Sequence, residues 1–244
     1  MALLEVRGVS KSFDRTPVLD TVDLTLEQGE LVCLLGVSGG GKTTLFNVIS
    51  GLLSPDAGQV LLDGENITGC PGHVSYMLQK DLLLPYRTVQ DNVILPLLLQ
   101  GMKPDKARTR ANELFGPFGL EGTQRLYPAQ LSGGMRQRAA LLRTYLFSRK
   151  VVLLDEPFSA LDALTKAAMH RWYLGVMEHL PVSTLFITHD VDEAILLSDR
   201  ICLLTGQPGQ ITHQIIVPHP RPRPDDFALS QTFLDCKRQI LCLL

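Results

Sequence analysis

The feature that most constrains this chain is a glycine-rich loop between an apolar run and a helical pattern. Leu31–Leu35 is continuously apolar, which suits a central parallel strand covered on both faces. The loop fits G-x-x-x-x-G-K-T with Gly36, Val37, Ser38, Gly39, Gly40, Gly41, Lys42 and Thr43. A helical stripe that stops at Gly51 follows, with Leu45, Val48, Ile49 and Leu52. Glycines in this context let backbone N–H groups surround phosphate oxygens, so the pattern predicts a phosphate-binding loop.

Three side chains at the end of the loop are expected to carry the chemistry of a bound nucleotide. The Lys42 ammonium is expected to reach the β- and γ-phosphates, and the Thr43 hydroxyl to bind Mg²⁺. Thr44 is expected to hydrogen-bond a phosphate. The alternative is a glycine-rich turn without a ligand, which the strand before the loop and the helix after it disfavour.

Two carboxylates follow another apolar run. Residues 151–154 are aliphatic and lead into Asp155 and Glu156. The carboxyl ends of parallel strands are where open α/β sheets bind ligands. Asp155 therefore suits an outer-sphere hold on Mg²⁺, and Glu156 suits a general base that aligns the attacking water. The alternative is a pair of solvent-facing acids at a strand end.

Strand and helix patterns alternate along the chain, which predicts a parallel, wound α/β core. Further strands are expected at residues 22–26, 59–63, 74–78, 183–188 and 200–204. A helix over 163–180 is expected to be capped by Asp162 and stopped by Pro181. Asp190 and Glu193 have capping-box spacing at the next helix.

Two regions depart from this alternation. Residues from about 88 to 150 are mostly helical, including 103–115, and are expected to form a lobe inserted in the core. Residues 217–224 are rich in proline and look like an extended linker, and the last twenty residues favour a helix.

Charge and composition exclude some function classes. The 244 residues have a net charge of -2, which does not favour electrostatic capture of nucleic acid. The five cysteines are expected to be reduced thiols, with Cys33 and Cys202 acting as small apolar strand residues. The N-terminus does not read as a secretory signal, and the apolar runs fall short of the ~20 residues that span a bilayer. We therefore expect a chain that is soluble by itself and reaches a membrane only through a partner.

A short segment that ends in a helical pattern gives the chain its resemblance. Its residues are Leu131, Ser132, Gly133, Gly134 and Met135. Small residues at a helix N-terminus form an anion site, although an N-cap with a flexible lead-in is the alternative. Together with the loop and the two acids, this segment resembles the signature of ABC transporter ATP-binding subunits, which usually reads LSGGQ. Met135 replaces the final glutamine, and the resemblance covers residues 1 to about 215.

The resemblance implies a fold and a division into parts. The fold would be α/β, with a P-loop NTPase (RecA-like) core, an antiparallel β subdomain and an inserted α-helical lobe. Residues 1–218 would be the ATPase domain, and 219–244 a proline-rich linker with a helical tail. ATP and Mg²⁺ would be the cofactors. Two copies, or a paired ATPase subunit, would enclose ATP so that residues 131–135 of one face the nucleotide of the other.

Three further residues are assigned through the same resemblance. Gln79 looks like the glutamine that contacts Mg²⁺ and the hydrolytic water, and its alternative is a surface glutamine. His189 looks like the switch histidine that contacts the γ-phosphate, and its alternative is a structural histidine at a strand end. Residues 159–162 look like the segment that crosses the dimer interface. Asp162, the last of them, also suits an N-cap.

The expected adenine contacts lie near the N-terminus. Phe13 stands where the family has an aromatic ring that stacks on adenine, and Val18 would line the same ring. The alternative for Phe13 is a buried residue of the strand core.

Three segments resemble one branch of the ABC importers, the branch for nitrate, sulfonate, taurine and pyrimidine precursors. They are residues 77–89, 135–138 and 219–223. The resemblance implies an integral-membrane permease that docks on the loop from Gln79 to Val89, where the alternative is ordinary lobe core. It also implies an extracytoplasmic substrate-binding protein and a cytoplasmic location, peripheral on the inner face of the membrane. The other hypotheses are an ABC-type ATPase acting on nucleic acid or the ribosome, and an exporter subunit.

Overall fold

The computed structural model describes residues 2–147, 150–180, 182–224 and 226–244. The strands are β1 (Leu4–Phe13), β2 (Thr16–Leu26), β3 (Leu31–Leu35), β4 (Ala57–Leu62), β5 (Glu65–Asn66), β6 (Ser75–Met77), β7 (Val151–Asp155), β8 (Ser183–Thr188), β9 (Arg200–Thr205) and β10 (Gln210–Ile216). The helices are α1 (Lys42–Ile49), α2 (Val89–Val93), α3 (Leu95–Leu99), α4 (Pro104–Phe115), α5 (Gly133–Phe147), α6 (Ala163–Met177), α7 (Val191–Leu197) and α8 (Gln231–Leu243).

A six-stranded sheet forms the centre of the molecule, in the order β10-β9-β3-β8-β7-β6. Strand β3 pairs in parallel with both β8 and β9, and β7 pairs in parallel with β8 and β6. All residues of β3, β7 and β8 are buried, which explains the continuous apolar runs at Leu31–Leu35 and 151–154. The predicted parallel α/β core is confirmed.

A second, four-stranded sheet has the order β2-β1-β4-β5 and is antiparallel throughout. Its apolar face packs with α1 and one face of the central sheet in a common core that includes Leu4, Val22, Phe46 and Leu153. Alternation of buried and exposed residues along β2 follows from this one-sided packing. The antiparallel β subdomain that the resemblance implied is present.

Helices α2 to α5 lie between β6 and β7 in the chain and pack on the other face of the central sheet. Phe115 of α4 and Leu142 of α5 belong to the same buried cluster as Leu154 of β7 and Phe186 of β8. The helical segment therefore shares its core with the sheet that it interrupts.

The first helix ends earlier than the sequence pattern predicts. Helix α1 stops at Ile49, and Gly51 has a φ of 76°, which turns the chain away. Leu45, Val48 and Ile49 are buried as expected, but Leu52 is 64% exposed. The prediction that Leu52 belongs to the buried stripe is wrong, because the helical period no longer applies beyond the turn.

Two predicted helix boundaries also differ in detail. Helix α6 ends at Met177, before the predicted residue 180, and Pro181 lies outside the described residues. The Asp190 side chain caps α7 by accepting from the backbone of Asp192 and Glu193. The Glu193 carboxylate contacts His170 and does not accept from the Asp190 N–H. The predicted cap by Asp190 is therefore confirmed, and the predicted reciprocal bond from Glu193 is wrong.

The proline-rich tail is anchored to the core. Arg221 donates to the Asp199 carboxylate at 2.7 and 2.8 Å. Arg223 donates to the carbonyls of Leu196 and Ser198 at 2.8 and 2.7 Å, at the end of α7. Burial lowers the pKa of Arg223 to about 10. This segment is therefore held against the core, because its arginines use carbonyls that the end of a helix leaves free.

The expectation that Cys33 and Cys202 act as small apolar strand residues is confirmed. All five cysteines are free, and Cys33 and Cys202 are fully buried in strands. Burial raises the pKa of the Cys202 thiol to about 11. Over the described ranges, none of the helices combines the length and the hydropathy that a bilayer crossing requires.

Candidate functional site

The glycine-rich loop connects β3 to α1 through two positions where a side chain would not fit. A Cβ on Gly36 would lie 2.2 Å from the carbonyl oxygen of Leu204, in the neighbouring strand β9. Gly41 has a φ of 91°, and a Cβ there would lie 2.8 Å from Leu19. Both glycines therefore allow the loop to fold tightly against the sheet before the helix begins.

Lys42 is folded back over this loop. Its Nζ donates to the carbonyls of Gly36 and Val37, both at 2.8 Å. Burial lowers the pKa of Lys42, whereas Glu156 and Asp155 act in the opposite direction. An ammonium group has three donors, so one N–H remains for an anion at the helix start. Helix α1 has no side-chain cap, which leaves its first N–H groups facing the same region.

Asp155 lies at the end of β7, opposite the start of α1. The Thr43 hydroxyl donates to Asp155 Oδ2 at 3.0 Å, and the Tyr76 hydroxyl approaches the same oxygen at 3.4 Å. Asp155 is 5% exposed, so the alternative of a solvent-facing acid is wrong for it. Burial raises the pKa of this carboxyl, and the hydrogen bond from Thr43 partly opposes that effect.

Glu156 contacts Gln79 and His189, the two other residues to which the resemblance gives a part in hydrolysis. Gln79 Nε2 donates to Glu156 Oε2 at 3.2 Å. His189 Nδ1 lies 3.1 Å from Oε1, and since a carboxylate only accepts, Nδ1 carries the hydrogen. The backbone of Glu156 has a φ of 46°, a left-handed conformation that costs a non-glycine residue about 1–2 kcal/mol. Such local strain in a residue that faces a cavity is typical of a functional site.

These elements surround one cavity of about 390 Å³. It is lined by Val18, Ser38, Gly39, Gly41, Lys42, Thr43, Thr44, Gln79, Glu156, Ile187 and His189. The structure therefore brings together the loop, the predicted base, the glutamine and the histidine from four separate parts of the chain. Gly36, Val37 and Gly40 belong to the loop but do not line the cavity.

The two expected adenine contacts differ in placement. Val18 lines the cavity, whereas Phe13 does not. Phe13 is 46% exposed at the end of β1, so the alternative of a buried core phenylalanine is wrong. Lys11 Nζ lies 5.7 Å from the centroid of its ring. One face of the ring is thus occupied by a cation.

A larger cavity of about 720 Å³ adjoins the first through Gln79, Glu156 and His189. Its other lining residues are Lys80, Asp81, Leu82, Gln137, Ser159 and Ala160. Ser159 and Ala160, the first two residues of 159–162, therefore share this cavity with Glu156. Asp162 itself caps α6, where its carboxylate accepts from the Thr165 backbone at 3.0 Å.

The segment 131–135 lies apart from the nucleotide-sized cavity and lines none of it. Helix α5 begins at Gly133, and the Ser132 hydroxyl accepts from the Met135 N–H at 3.3 Å. The N-cap interpretation therefore describes Ser132 within this one chain.

The loop after Gln79 contains both exposed and buried apolar residues. Leu82, Leu84 and Tyr86 are 52%, 40% and 93% exposed, whereas Leu83 and Val89 are buried. Part of this loop is therefore an exposed apolar surface, and part of it belongs to the core of the lobe. Arg143 of α5 holds the loop by donating to the carbonyls of Asp81 and Leu82, the latter at 2.8 Å.

Sequence reasoning missed Tyr76 as a member of the site. Strand β6 pairs in parallel with β7, which places Tyr76 beside Leu153 and lets its hydroxyl reach Asp155. The signal for it was the predicted strand over 74–78, since parallel strand ends meet at one edge of the sheet. Naming Tyr76 required knowing that these two strands are neighbours.

The donors around Asp155 fit a magnesium ion. In the described ranges, no group of three or more His, Cys, Asp or Glu residues forms a protein-only metal site. Mg²⁺ instead takes one or two protein oxygens together with phosphate and water oxygens. The Thr43 hydroxyl and the Asp155 carboxylate, 3.0 Å apart, supply that kind of oxygen.

Comparison with known proteins agrees with this geometry. The family model described as ABC transporter matches residues 19–159. The chain is 44% identical over 217 residues to the formylaminopyrimidine import ATP-binding protein ThiZ of Halalkalibacterium halodurans, covering 88% of this chain and 85% of that protein. It is 45% identical to the aliphatic sulfonates import ATP-binding protein SsuB 1 of Rhodococcus jostii, covering 90% and 85%.

Solved structures show the same fold. The bacterial ABC transporter cassette MJ0796, solved as a dimer, superposes with a TM-score of 0.76 at 27% identity, covering 89% of this chain and 100% of that chain. A post-hydrolysis state of that cassette with bound ADP and Pi gives a TM-score of 0.75. The chain described here therefore belongs to the ABC transporter family, as one of its ATP-hydrolysing cassettes.

Proposed function

We propose that this chain is the ATP-hydrolysing subunit of an ABC importer that takes up a small polar solute through a separate permease. The observation that carries the ATPase part is Glu156, which faces the phosphate loop across one cavity with both carboxylate oxygens held. The importer part is supported by relatives that are named as import ATP-binding proteins.

The phosphate loop binds the nucleotide in this proposal. Lys42 uses its remaining N–H toward the β- and γ-phosphates, and Thr44 and the free N–H groups of α1 contact phosphate oxygens. Mg²⁺, held by the Thr43 hydroxyl with Asp155 and Gln79, would neutralise charge on the phosphates. Val18 and Phe13 contact the adenosine. The ring of Phe13 offers an exposed π face for stacking.

Hydrolysis depends on the residues at the opposite wall of the cavity. Glu156 accepts the proton of the attacking water, and Gln79 orients that water through its amide. His189 contacts the γ-phosphate. Because Glu156 is hydrogen-bonded to Gln79 and His189 here, these bonds must rearrange when a water and the γ-phosphate enter between the three side chains.

The second half of each site comes from another subunit. The start of α5, residues 131–135, closes on the γ-phosphate held by a partner copy or a paired ATPase subunit. Residues 159–162 cross the same interface, and the place of Ser159 and Ala160 in the cavity beside Glu156 supports this assignment. The separation of the α5 start from the cavity within one chain supports it independently.

The permease docks on the loop that follows Gln79. Leu82, Leu84 and Tyr86 form an exposed apolar surface there. A nearby cavity of about 330 Å³ is lined by Leu52, Pro96 and Arg143 among others, and Arg143 also holds the loop. An apolar helix end from a membrane partner would cover these residues. Movement of α5 would then reach the permease through Arg143.

The wider assembly follows from the same proposal. Residues 1–218 form the ATPase domain with its lobe at about 88–150, and 219–244 form a tail that packs on α7. The chain acts at the cytoplasmic face of the membrane, with a substrate-binding protein on the other side. Action on nucleic acid, or export, is not favoured, because the relatives named above are import proteins.

Turnover of the isolated chain tests the ATPase assignment. Glu156→Gln is expected to lower the rate of ATP hydrolysis by at least about a hundredfold, because it removes the base. Its affinity for ATP should stay close to that of the wild type, since Lys42 and the loop are unchanged. Hydrolysis at the wild-type rate in this variant would remove Glu156 from its assigned role.

A pull-down from native membranes in mild detergent tests the importer assignment. Mass spectrometry of the captured proteins is expected to identify a multi-span permease and a substrate-binding protein. Capture of ribosomal or other nucleic-acid-binding proteins in place of a permease would contradict it, and leave the ATPase chemistry intact.

A further inference from the structure

A buried carboxylate lies beside the end of the strand that carries His189. Glu193 of α7 is 3% exposed. Its Oε1 lies 2.8 Å from Nε2 of His170, on α6. Its Oε2 accepts a hydrogen bond from the hydroxyl of Thr188, the last residue of β8. One carboxylate therefore joins two helices and a strand end, and this group is called the Glu193 bridge below.

None of the three members of the Glu193 bridge lines the nucleotide cavity. Burying a carboxylate is costly unless its oxygens are hydrogen-bonded, and removal of one partner leaves that cost uncompensated. His170 is itself 8% exposed, and its ring packs edge-on against Phe158 with centroids 5.0 Å apart. The bridge therefore has a fixed geometry.

At one end, the bridge fixes the backbone on both sides of His189. Thr188 precedes His189 directly, and its hydroxyl accepts from the Asp190 N–H at 3.0 Å while donating to Glu193. The side chain of His189 points to Glu156 Oε1 at 3.1 Å. The orientation of His189 therefore depends on a hydroxyl that Glu193 holds in place.

At the other end, the bridge reaches the helix that begins at the dimer-facing segment. Helix α6 starts directly after Asp162, and Phe158, which packs on His170, directly precedes residues 159–162. Lys166, in the first turns of α6, makes a second and more exposed contact with Asp190 at 3.2 Å. If residues 159–162 move, α6 would move with them. The contacts of α6 would then shift Thr188 and Asp190, the residues on both sides of His189.

We propose that His170 and Glu193 are positioning residues, which hold His189 against Glu156 and link its position to residues 159–162. This inference rests on the proposed function, because it uses the assigned roles of His189 and Glu156. The bridge makes no hydrogen bond to Lys42 or Thr43. Its loss should therefore slow turnover and leave nucleotide affinity unchanged.

Paired substitutions at His170 test the proposal. His170→Leu removes the N–H donor and places an apolar side chain in the buried site. It is expected to lower kcat about tenfold, as a displaced catalytic group does, with KM for ATP within about twofold of the wild type. His170→Gln retains an N–H donor and should recover most of kcat. His179→Gln, an exposed change near the end of the same helix, is the matched control.

A second pair guards against loss of folding. Where His170→Leu melts below the assay temperature, Thr188→Val carries the test, because it removes the hydroxyl at nearly constant volume. It should show the same fall in kcat at unchanged ATP affinity, and Thr188→Ser should reverse most of it. Thermal melting of each variant is measured alongside turnover.

Three results would overturn the proposal. The first is an unchanged kcat in a folded His170→Leu or Thr188→Val. The second is an equal loss of kcat in His170→Leu and His170→Gln, which would assign the effect to ring packing alone. The third is a variant whose KM for ATP rises while its kcat stays at the wild-type value. If the wild type hydrolyses no ATP, the proposed function itself fails. If the wild type is active and the variants are unaffected, only the positioning role of His170 and Glu193 fails.

Discussion

Two helix starts in this chain have the composition of a phosphate site, and their surroundings differ. The start of α1 opens on a cavity that the chain completes itself with Gln79, Glu156 and His189. The start of α5, at Gly133, lines no part of that cavity, and the Ser132 hydroxyl accepts from the Met135 N–H of its own helix. In the proposed dimer these two helix starts belong to one shared site, and they are named here the α1 half and the α5 half.

The largest expected effect comes from breaking the α1 half. Lys42→Ala removes the ammonium group that lies between the loop carbonyls and the cavity. It is expected to reduce ATP hydrolysis by about a thousandfold and to weaken nucleotide binding as well, because a preorganised positive charge is lost. Turnover and equilibrium binding of a fluorescent nucleotide measure the two effects. Lys80→Ala, an exposed lysine of the adjoining loop, serves as the control.

The α5 half should separate binding from turnover. Ser132→Arg places a bulky cation at the helix start, and it is expected to reduce turnover by about a hundredfold by keeping this half from closing on a partner. The affinity of the monomer for ATP should remain within about twofold of the wild type, since the α1 cavity is untouched. A matching loss of ATP affinity would mean that both halves belong to one chain.

Asp155→Asn should make the protein more stable and less active. Burial holds the pKa of Asp155 above its unfolded value of 3.8. The wild type therefore loses stability as pH rises from that value through the folded pKa, and the neutral amide avoids this loss. At pH 7 the variant should melt at a higher temperature than the wild type, with the gap closing below pH 3.8. A lower melting temperature at pH 7 would contradict this reading of the site.

The smallest effect is expected from Tyr76→Phe. Its hydroxyl lies 3.4 Å from Asp155 Oδ2, at the long end of hydrogen-bond distances. Loss of this contact should change turnover by less than about threefold, which corresponds to less than about 0.7 kcal/mol. A tenfold loss would show that Tyr76 holds Asp155 more tightly than the distance indicates.

The inner strands of the central sheet were predictable because they are buried on both faces. Leu31–Leu35 and residues 151–154 are unbroken apolar runs, and such runs followed by glycines or acids leave few alternatives. Strand β10 was not predicted, because it is an edge strand whose residues are mostly exposed and show no apolar alternation. Its place depends on pairing with β9, which is a property of the fold.

Long-range contacts explain the other differences. The segment around Arg221 and Arg223 has the composition of a linker, yet Asp199 and the end of α7 anchor it. Glu193 has capping-box spacing, yet its carboxylate faces His170, which is 23 residues away in the chain. The left-handed backbone of Glu156 likewise has no signal in the local sequence. Motifs indicated which residues matter, and only the fold showed what each contacts.

The measurement that tests the account most directly is the oligomeric state of Glu156→Gln with ATP. Light scattering after size exclusion is expected to show a dimer with ATP and a monomer without it, because hydrolysis no longer reopens the paired sites. Adding Ser132→Arg to the same chain should abolish the dimer while ATP still binds. A double variant that dimerises as well as Glu156→Gln, or a monomer that hydrolyses ATP at a rate independent of protein concentration, would contradict the account.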